Sequence, residues 1–264
     1  MKIQPKILRP CPTRFGSALM ALLLLGITAT AALGQVISPK AHPYGHSYAE
    51  WSAKWWQWSL EQSTSHLEEI GKPKDIGDGP ADKVRFLLGA YLTGGAAIET
   101  NQLTIPAGTP LFFQVLAVWD DNSGCPNFTT FTADELAAQA AGLWTGVTLT
   151  SCIIDGKEVP GLDDPATTDY LVQAPPFGYT TAETDNVLAG LFGDTCIDGG
   201  TRIYPAVADG VYIMLSPLKP GKHTIHTVGK VGPLLSPYVD LDLTYEITVT
   251  RDCDHDHDHD GDHD

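Results

Sequence analysis

The sequence predicts a mainly β protein, an antiparallel β-sandwich or jelly roll with an N-terminal tryptophan-rich helix and one or two inserted short helices. Turn-forming pairs such as Gly94-Gly95 and Pro220-Gly221 separate its strand-like runs. The last run alternates apolar and polar residues, as a strand with one face on a core does. Short strands bounded by Gly/Pro turns are typical of sandwiches. The predicted strands are 84–92, 111–119, 146–154, 211–215, 223–228 and 241–249.

The tryptophan-rich segment at 46–62 contains four of the six tryptophans within eight residues. Ser47 followed by Glu50 has the spacing of a capping box, which predicts a helix beginning there. The helix is apolar over most of its circumference, so we expect its rings to pack in a core. An exposed aromatic site is the alternative, and Trp56 is its candidate ligand contact.

Two further helices are predicted inside the long region between the central strands. The first spans 132–144, where Thr132 and Glu135 repeat the capping-box spacing. The second spans about 183–192. Both interrupt a strand-rich pattern, so we interpret them as insertions in a β fold.

The N-terminus has the pattern of a secretory signal peptide. Four basic residues precede an apolar run from Ala18 to Ala32, and cleavage is expected near Gly34. This run is shorter than the roughly 20 apolar residues of a membrane span. The sequence therefore predicts residues 1–34 as signal peptide, and a secreted or periplasmic protein that is not embedded in a membrane, with a single β-sandwich-like domain over 35–251.

The formal charge excludes one class of partner. Removing residues 1–34 takes away four positive charges and no negative ones, which moves the net charge from −16 to −20. A field this negative repels the phosphates of nucleic acids. We therefore expect no nucleic-acid function.

Four cysteines follow the signal peptide, an even number in an oxidising compartment. Three pairings are open because sequence does not determine connectivity. Proximity along the chain favours Cys125 with Cys152 and Cys196 with Cys253.

The last thirteen residues, 252–264, form a disordered Asp/His tail with seven Asp and four His. Imidazole and carboxylate ligands suit divalent ions, so the tail could bind Zn²⁺, Ni²⁺ or Cu²⁺ as a metal-buffering segment. No other cofactor is predicted. The candidate metal ligands are His255, His257, His259, His263, Asp254, Asp256, Asp258 and Asp260.

Two histidines outside the tail are candidate ligand contacts. His46 lies in the loop before the tryptophan helix, and His223 follows a Pro-Gly turn. His226 lies three residues further on, so on a strand it points to the opposite face and should not share an ion with His223. A carboxylate site for a hydrolase is a further alternative, drawn from Asp120, Asp121, Asp163, Asp164 or Glu50.

Two segments, 44–58 and 208–229, carry a family resemblance. "YGHSYAEWSAKWWQW" and "ADGVYIMLSPLKPGKHTIHTVG" resemble secreted, largely uncharacterised bacterial proteins with an N-terminal Y-G-x-x-Y-x-E-W-x-x-x-W-W-x-W segment and a C-terminal D-G…P-L-x-P-G-x-H-T-I hairpin. The resemblance implies secretion and no particular reaction.

The sequence as a whole favours a secreted, non-enzymatic binding protein for a small ligand, a glycan or a surface partner. The alternatives are an extracytoplasmic protein that binds divalent metals through its tail, and a hydrolase with a carboxylate site.

Overall fold

The computed structural model of the chain describes residues 36–65, 84–92, 94–125, 129–193, 196–234 and 236–251. Over these residues the fold is mainly β, as predicted. The helices are α1 (Tyr48–Leu60), α2 (Ala133–Trp144) and α3 (Val187–Phe192). The strands are β1 (Arg85–Leu87), β2 (Gly95–Pro106), β3 (Leu111–Asp121), β4 (Val147–Ile154), β5 (Lys157–Glu158), β6 (Leu171–Gln173), β7 (Phe177–Thr180), β8 (Arg202–Leu215), β9 (Gly221–Val231) and β10 (Val239–Thr250).

The strands form two five-stranded sheets. The first has the order β1-β3-β8-β6, with β7 also paired to β8, and the second has the order β2-β10-β9-β4-β5. The prediction of purely antiparallel pairing was too simple, because β1 runs parallel to β3 and β2 runs parallel to β10. These parallel partners arise because the chain crosses from the first sheet to the second after β1 and back again after β2.

The two sheets pack face to face, and β3 lies at their interface. The Phe113 ring on β3 lies 6.3 Å from the Tyr245 ring on β10. A Cβ added at Gly229 on β9 would lie only 2.8 Å from the Leu116 Cβ, so glycine lets the sheets approach closely there.

Helix α1 covers the outer face of the first sheet. The structure has the predicted capping box, with the Glu50 N–H donating to the Ser47 Oγ and the Ser47 N–H donating to the Glu50 carboxylate. The four tryptophans of the helix are all buried, so their rings form core rather than an exposed platform. With α1 on one face and the second sheet on the other, β3 from Leu111 to Leu116 is buried on both sides.

Polar ends of the α1 aromatic side chains tie the helix to the sheet. The Tyr48 hydroxyl donates to the Ile37 carbonyl at 2.6 Å and accepts from the Met214 N–H at 2.9 Å. The Trp55 Nε1 donates to the Leu87 carbonyl at 2.9 Å. Each buried polar atom thus has a partner, which keeps the burial of these large rings favourable.

The inserted helices begin at side-chain caps. Helix α2 has the predicted capping box of Thr132 and Glu135. Helix α3 is shorter than the predicted 183–192, because the Asn186 side chain accepts from the Ala189 N–H and the helix begins after it.

The favoured disulfide pairing was wrong. Cys125 is bonded to Cys196, with their Cα atoms 5.6 Å apart. Cys152 is a free thiol on the inner face of β4, and burial raises its pKa to about 12. Proximity along the chain failed because β4 carries Cys152 between the sheets, whereas the loops after β3 and after α3 meet at the surface.

The signal peptide, the Asp/His tail and Cys253 lie outside the described residues. Within the described ranges no helix is both long and apolar enough to cross a membrane.

Candidate ligand-binding cavity

A cavity of about 260 Å³ lies where the end of α2 meets both sheets. The second sheet contributes four aliphatic side chains from the place where β4 and β10 begin and β9 ends: Val147, Val231, Val239 and Leu241. Leu143 at the end of α2 also lines the cavity and is 58% exposed, so the cavity opens to solvent beside it. None of the described residues that line the cavity is charged. The walls suit an apolar ligand.

Three aromatic rings form the wall on the side of α1. The Trp56 and Trp119 ring centroids are 4.9 Å apart, and the Tyr91 ring lies edge-on to Trp119 at 5.8 Å. Trp56 is held by its Nε1, which donates to the Tyr212 hydroxyl at 2.7 Å. Because these rings pack on one another and on the sheet, the aromatic wall is rigid.

Three buried polar atoms of the lining residues have no hydrogen-bond partner among the described residues. They are the amide oxygen of Gln114, a residue 4% exposed, the indole Nε1 of Trp144, a residue 7% exposed, and the Tyr91 hydroxyl. Burial raises the pKa of the Tyr91 hydroxyl, and the Ser59 side chain near it lowers that pKa by less. A buried donor or acceptor without a partner costs about 1–3 kcal/mol. These residues line one apolar cavity, so a ligand there can supply the missing partners when the side chains turn toward it.

Local backbone geometry places Gln114 in this cavity. The pairing of β3 with β8 shifts register between Gln114 and Leu116, so Val115 is the extra residue of a β-bulge. The pairing of β1 with β3 ends at Phe113. After β1 the chain continues as an irregular segment, residues 88–92. A Cβ at Gly89 in that segment would collide with the Gln114 amide nitrogen, so the glycine makes room for the amide.

A second cavity, of about 310 Å³, lies further along β3. It shares Leu92, Ala117, Val118 and Trp119 with the first and is lined in addition by Asp120 and Asp121. Burial raises the pKa of the Asp120 carboxyl, and the Asp121 charge adds to this effect. The two cavities are therefore neighbours, one with an apolar lining and one with acidic residues in its lining.

The structure places the three candidate ligand contacts from the sequence in different parts of the molecule. Trp56 lines the first cavity. His46 lies at the start of α1, 4.0 Å from the Glu50 carboxylate and edge-on to the Trp51 ring. His223 is held on both sides, with Nδ1 2.7 Å from the Asp155 carboxylate and Nε2 2.7 Å from the Lys219 carbonyl. These contacts hold the His223 ring in place, and His223 also lines a cavity of about 340 Å³ between β9 and the neighbouring strands of the second sheet. Its role as a ligand contact stays a prediction.

His226 contacts a different carboxylate, that of Asp242, with a distance of 2.7 Å between its Nε2 and Oδ1. In the described part of the chain, no group of three or more His, Cys, Asp and Glu side chains could hold a metal ion. The candidate ligands in the tail lie beyond the last described residue, so the metal hypothesis for the tail stays a prediction.

Two of the five carboxylates proposed for a hydrolase share a cavity, and the other three are not among its described lining residues. Asp120 and Asp121 share one cavity, but His223 is not among its lining residues. Asp163 and Asp164 lie in an exposed loop, and Asp164 accepts hydrogen bonds from its own turn. Glu50 caps α1, where hydrogen bonds from Ser47 lower its pKa. Among the described contacts of these five carboxylates, the histidine is His46, which lies 4.0 Å from Glu50.

Sequence reasoning missed Gln114 and Trp144 as site residues. Gln114 is the single polar residue in the run "LFFQVLAVW", and a lone polar side chain in a strand that is otherwise apolar is a signal the sequence does contain. Trp144 gave no such signal, because a tryptophan at the end of a helix fits ordinary packing equally well.

Comparisons with known proteins do not identify the chain. No family profile matches it, and no curated protein matches it in sequence. Three solved structures were found by shape. Amebosin is 12% identical over 59% of this chain and 96% of its own, with a TM-score of 0.19. A cysteine protease inhibitor from Entamoeba histolytica is 15% identical over 58% and 95%, with a TM-score of 0.19. PbICP-C, solved in complex with falcipain-2, is 16% identical over 64% and 98%, with a TM-score of 0.23. TM-scores this low support no inference about function.

Proposed function

We propose that this protein is a secreted, non-enzymatic binding protein that takes a small, mainly apolar ligand in the cavity between α2 and the two sheets. One observation carries the proposal: the Gln114 amide oxygen and the Trp144 indole N–H are buried in the lining of an apolar cavity without partners among the described residues. A ligand that accepts from Trp144 and donates to Gln114 satisfies both.

The volume of the cavity limits the size of the ligand. A cavity of about 150 Å³ lined by apolar side chains binds benzene. A cavity of about 260 Å³ should therefore hold on the order of ten non-hydrogen atoms. The aromatic wall of Trp56, Tyr91 and Trp119 favours a ligand with a ring, since such walls contact flat ligands over a large area. A hydroxyl on that ring would supply both the donor and the acceptor.

The experiment is a calorimetric titration of the mature protein with naphthol, an aromatic alcohol of about this size. The test variant is Ala90→Phe, which places a ring in the cavity from the irregular segment beside β3. The matched control is Ala141→Phe, which adds the same ring to the exposed face of α2. We expect the test variant to lose at least about tenfold in affinity and the control to bind as the parent protein does.

Trp144→Phe then tests the polar contact. It removes the indole N–H together with three ring atoms, and the loss of one hydrogen bond to the ligand by itself costs about fivefold to tenfold in affinity. Unfolding midpoints of all variants establish that they remain folded. Equal naphthol affinity of the parent protein and Ala90→Phe would refute the cavity as the binding site.

A further inference from the structure

We infer that the ligand of this site is an amphipathic cation, with its apolar part in the cavity beside Trp144 and its ammonium group at the Asp120 carboxylate in the neighbouring cavity. This inference rests on the proposed function and names the chemical class of the ligand. Asp120 and Asp121 were candidate catalytic residues in the sequence. No histidine is among the described residues that line their cavity, and a cationic ligand is the partner that we infer for its acidic lining.

The two carboxylates differ in how many hydrogen bonds they already accept. Asp121 accepts from the Tyr179 hydroxyl at 2.6 Å, from the Trp119 Nε1 at 3.0 Å and from the Ser123 N–H at 2.8 Å. Asp120 accepts one hydrogen bond among the described residues, from the Asp121 N–H at 2.9 Å. A carboxylate has about four acceptor positions. Asp121 is therefore a structural anchor, and Asp120 has capacity left for a ligand.

No described residue of either lining carries positive charge. Both cavities lack Lys, Arg and His in their linings, so the charge of the two acids is not balanced locally. Burying a carboxylate without a counter-charge is unfavourable, which is consistent with the raised pKa of Asp120. A cationic group on the ligand would offset this cost, and anionic ligands would be repelled.

The geometry allows one ligand to reach both parts of the site. Trp119 lines both cavities, and its Nε1 bond to Asp121 fixes the orientation of its ring. Trp119 and Asp120 are consecutive residues of β3, roughly 3.3 Å apart along the strand, and their side chains leave it on opposite faces. Both line the second cavity, beyond the last pairing of β1 with β3, so a chain of a few methylene groups that runs round this open edge can connect a ring at the aromatic wall to an ammonium group at Asp120. The Trp119 ring lies next to that path, where it can also attract a cation.

The test compares three compounds that share a phenylbutyl group and differ in charge: phenylbutylamine, phenylbutanol and phenylbutyrate. Each is titrated by calorimetry into the full mature protein at pH 8, where the amine is protonated. We expect the amine to bind at least about tenfold more tightly than the alcohol, and the acid to bind more weakly than the alcohol. The variant Asp120→Asn should abolish the preference for the amine over the alcohol.

The control is Asp163→Asn, which removes one negative charge from an exposed loop and should keep the preference for the amine. Equal affinities of the amine and the alcohol for the parent protein would overturn the inference and leave the proposed function in place. A preference for the amine that persists in Asp120→Asn would also overturn it, because the general negative charge would then be responsible. Absence of binding by all three compounds, together with no naphthol binding, would overturn the proposed function itself.

Discussion

Replacing Gln114 by leucine should stabilise the ligand-free protein. The side chain is buried, its amide oxygen has no partner among the described residues, and leucine has a similar volume. Leaving a buried acceptor unsatisfied costs about 1–3 kcal/mol, and an apolar replacement of the same shape removes that cost. We therefore expect Gln114→Leu to raise the free energy of unfolding by about 1–3 kcal/mol. This gain corresponds to an increase of roughly 2–12 °C in the melting temperature of a domain of this size.

Urea unfolding followed by circular dichroism measures this gain, with the slope against urea checked for two-state behaviour. The control is Gln102→Leu on β2, because that side chain is exposed and its amide already donates to the Glu246 carboxylate at 2.9 Å. It should change stability by less than about 0.5 kcal/mol. A loss of more than about 1 kcal/mol in Gln114→Leu would show that the amide is satisfied in the free protein. The argument for a ligand-binding role would then fail.

Three further predictions concern Asp209, the disulfide and the tail. Burial raises the pKa of the Asp209 carboxyl to about 6, so the stabilisation from its neutral form is present below about pH 4 and is lost as the pH rises through 6. Between pH 4 and pH 7, the free energy of unfolding measured in urea should change by about 2 kcal/mol less in Asp209→Asn than in the parent protein. The same change in both proteins would exclude Asp209 as its source. Peptide mapping without reduction should find Cys125 linked to Cys196 and the Cys152 thiol unreactive in the native protein; a Cys125–Cys152 peptide would contradict the fold at β4. Truncation after residue 251 should abolish Ni²⁺ binding in calorimetry, and a stoichiometric site that survives would place metal ligands in the folded domain.

Local patterns were sufficient to predict the elements whose chemistry is local. The capping box of Ser47 and Glu50 predicted where α1 begins, because both hydrogen bonds lie within one helical turn. The alternation at 241–249 predicted β10, since only one face of that strand meets the core. The apolar circumference of α1 likewise predicted burial of its tryptophans.

Non-local pairing was beyond the sequence. Strand β2 has few apolar residues and was missed, and it is held in place by its parallel pairing with β10. Strand β8 begins at Arg202, well before the predicted 211, because pairing with β7 extends it. The disulfide was mispaired for the same reason, as the cysteines are brought together by loops that are distant in the chain.

The sequence by itself determined the fold class, the starts of α1 and α2 and the acidic charge, because each depends on composition or on residues within a few positions of one another. Only the tertiary structure decided the site. Gln114 reaches the cavity through a bulge, Trp144 through the position at which α2 ends, and Asp120 through the strand that connects both cavities. Whether a polar group has a partner depends on which atoms surround it in space. Those atoms belong to α1, α2 and the two sheets, which are far apart in the sequence and pack together beside the C-terminal half of β3.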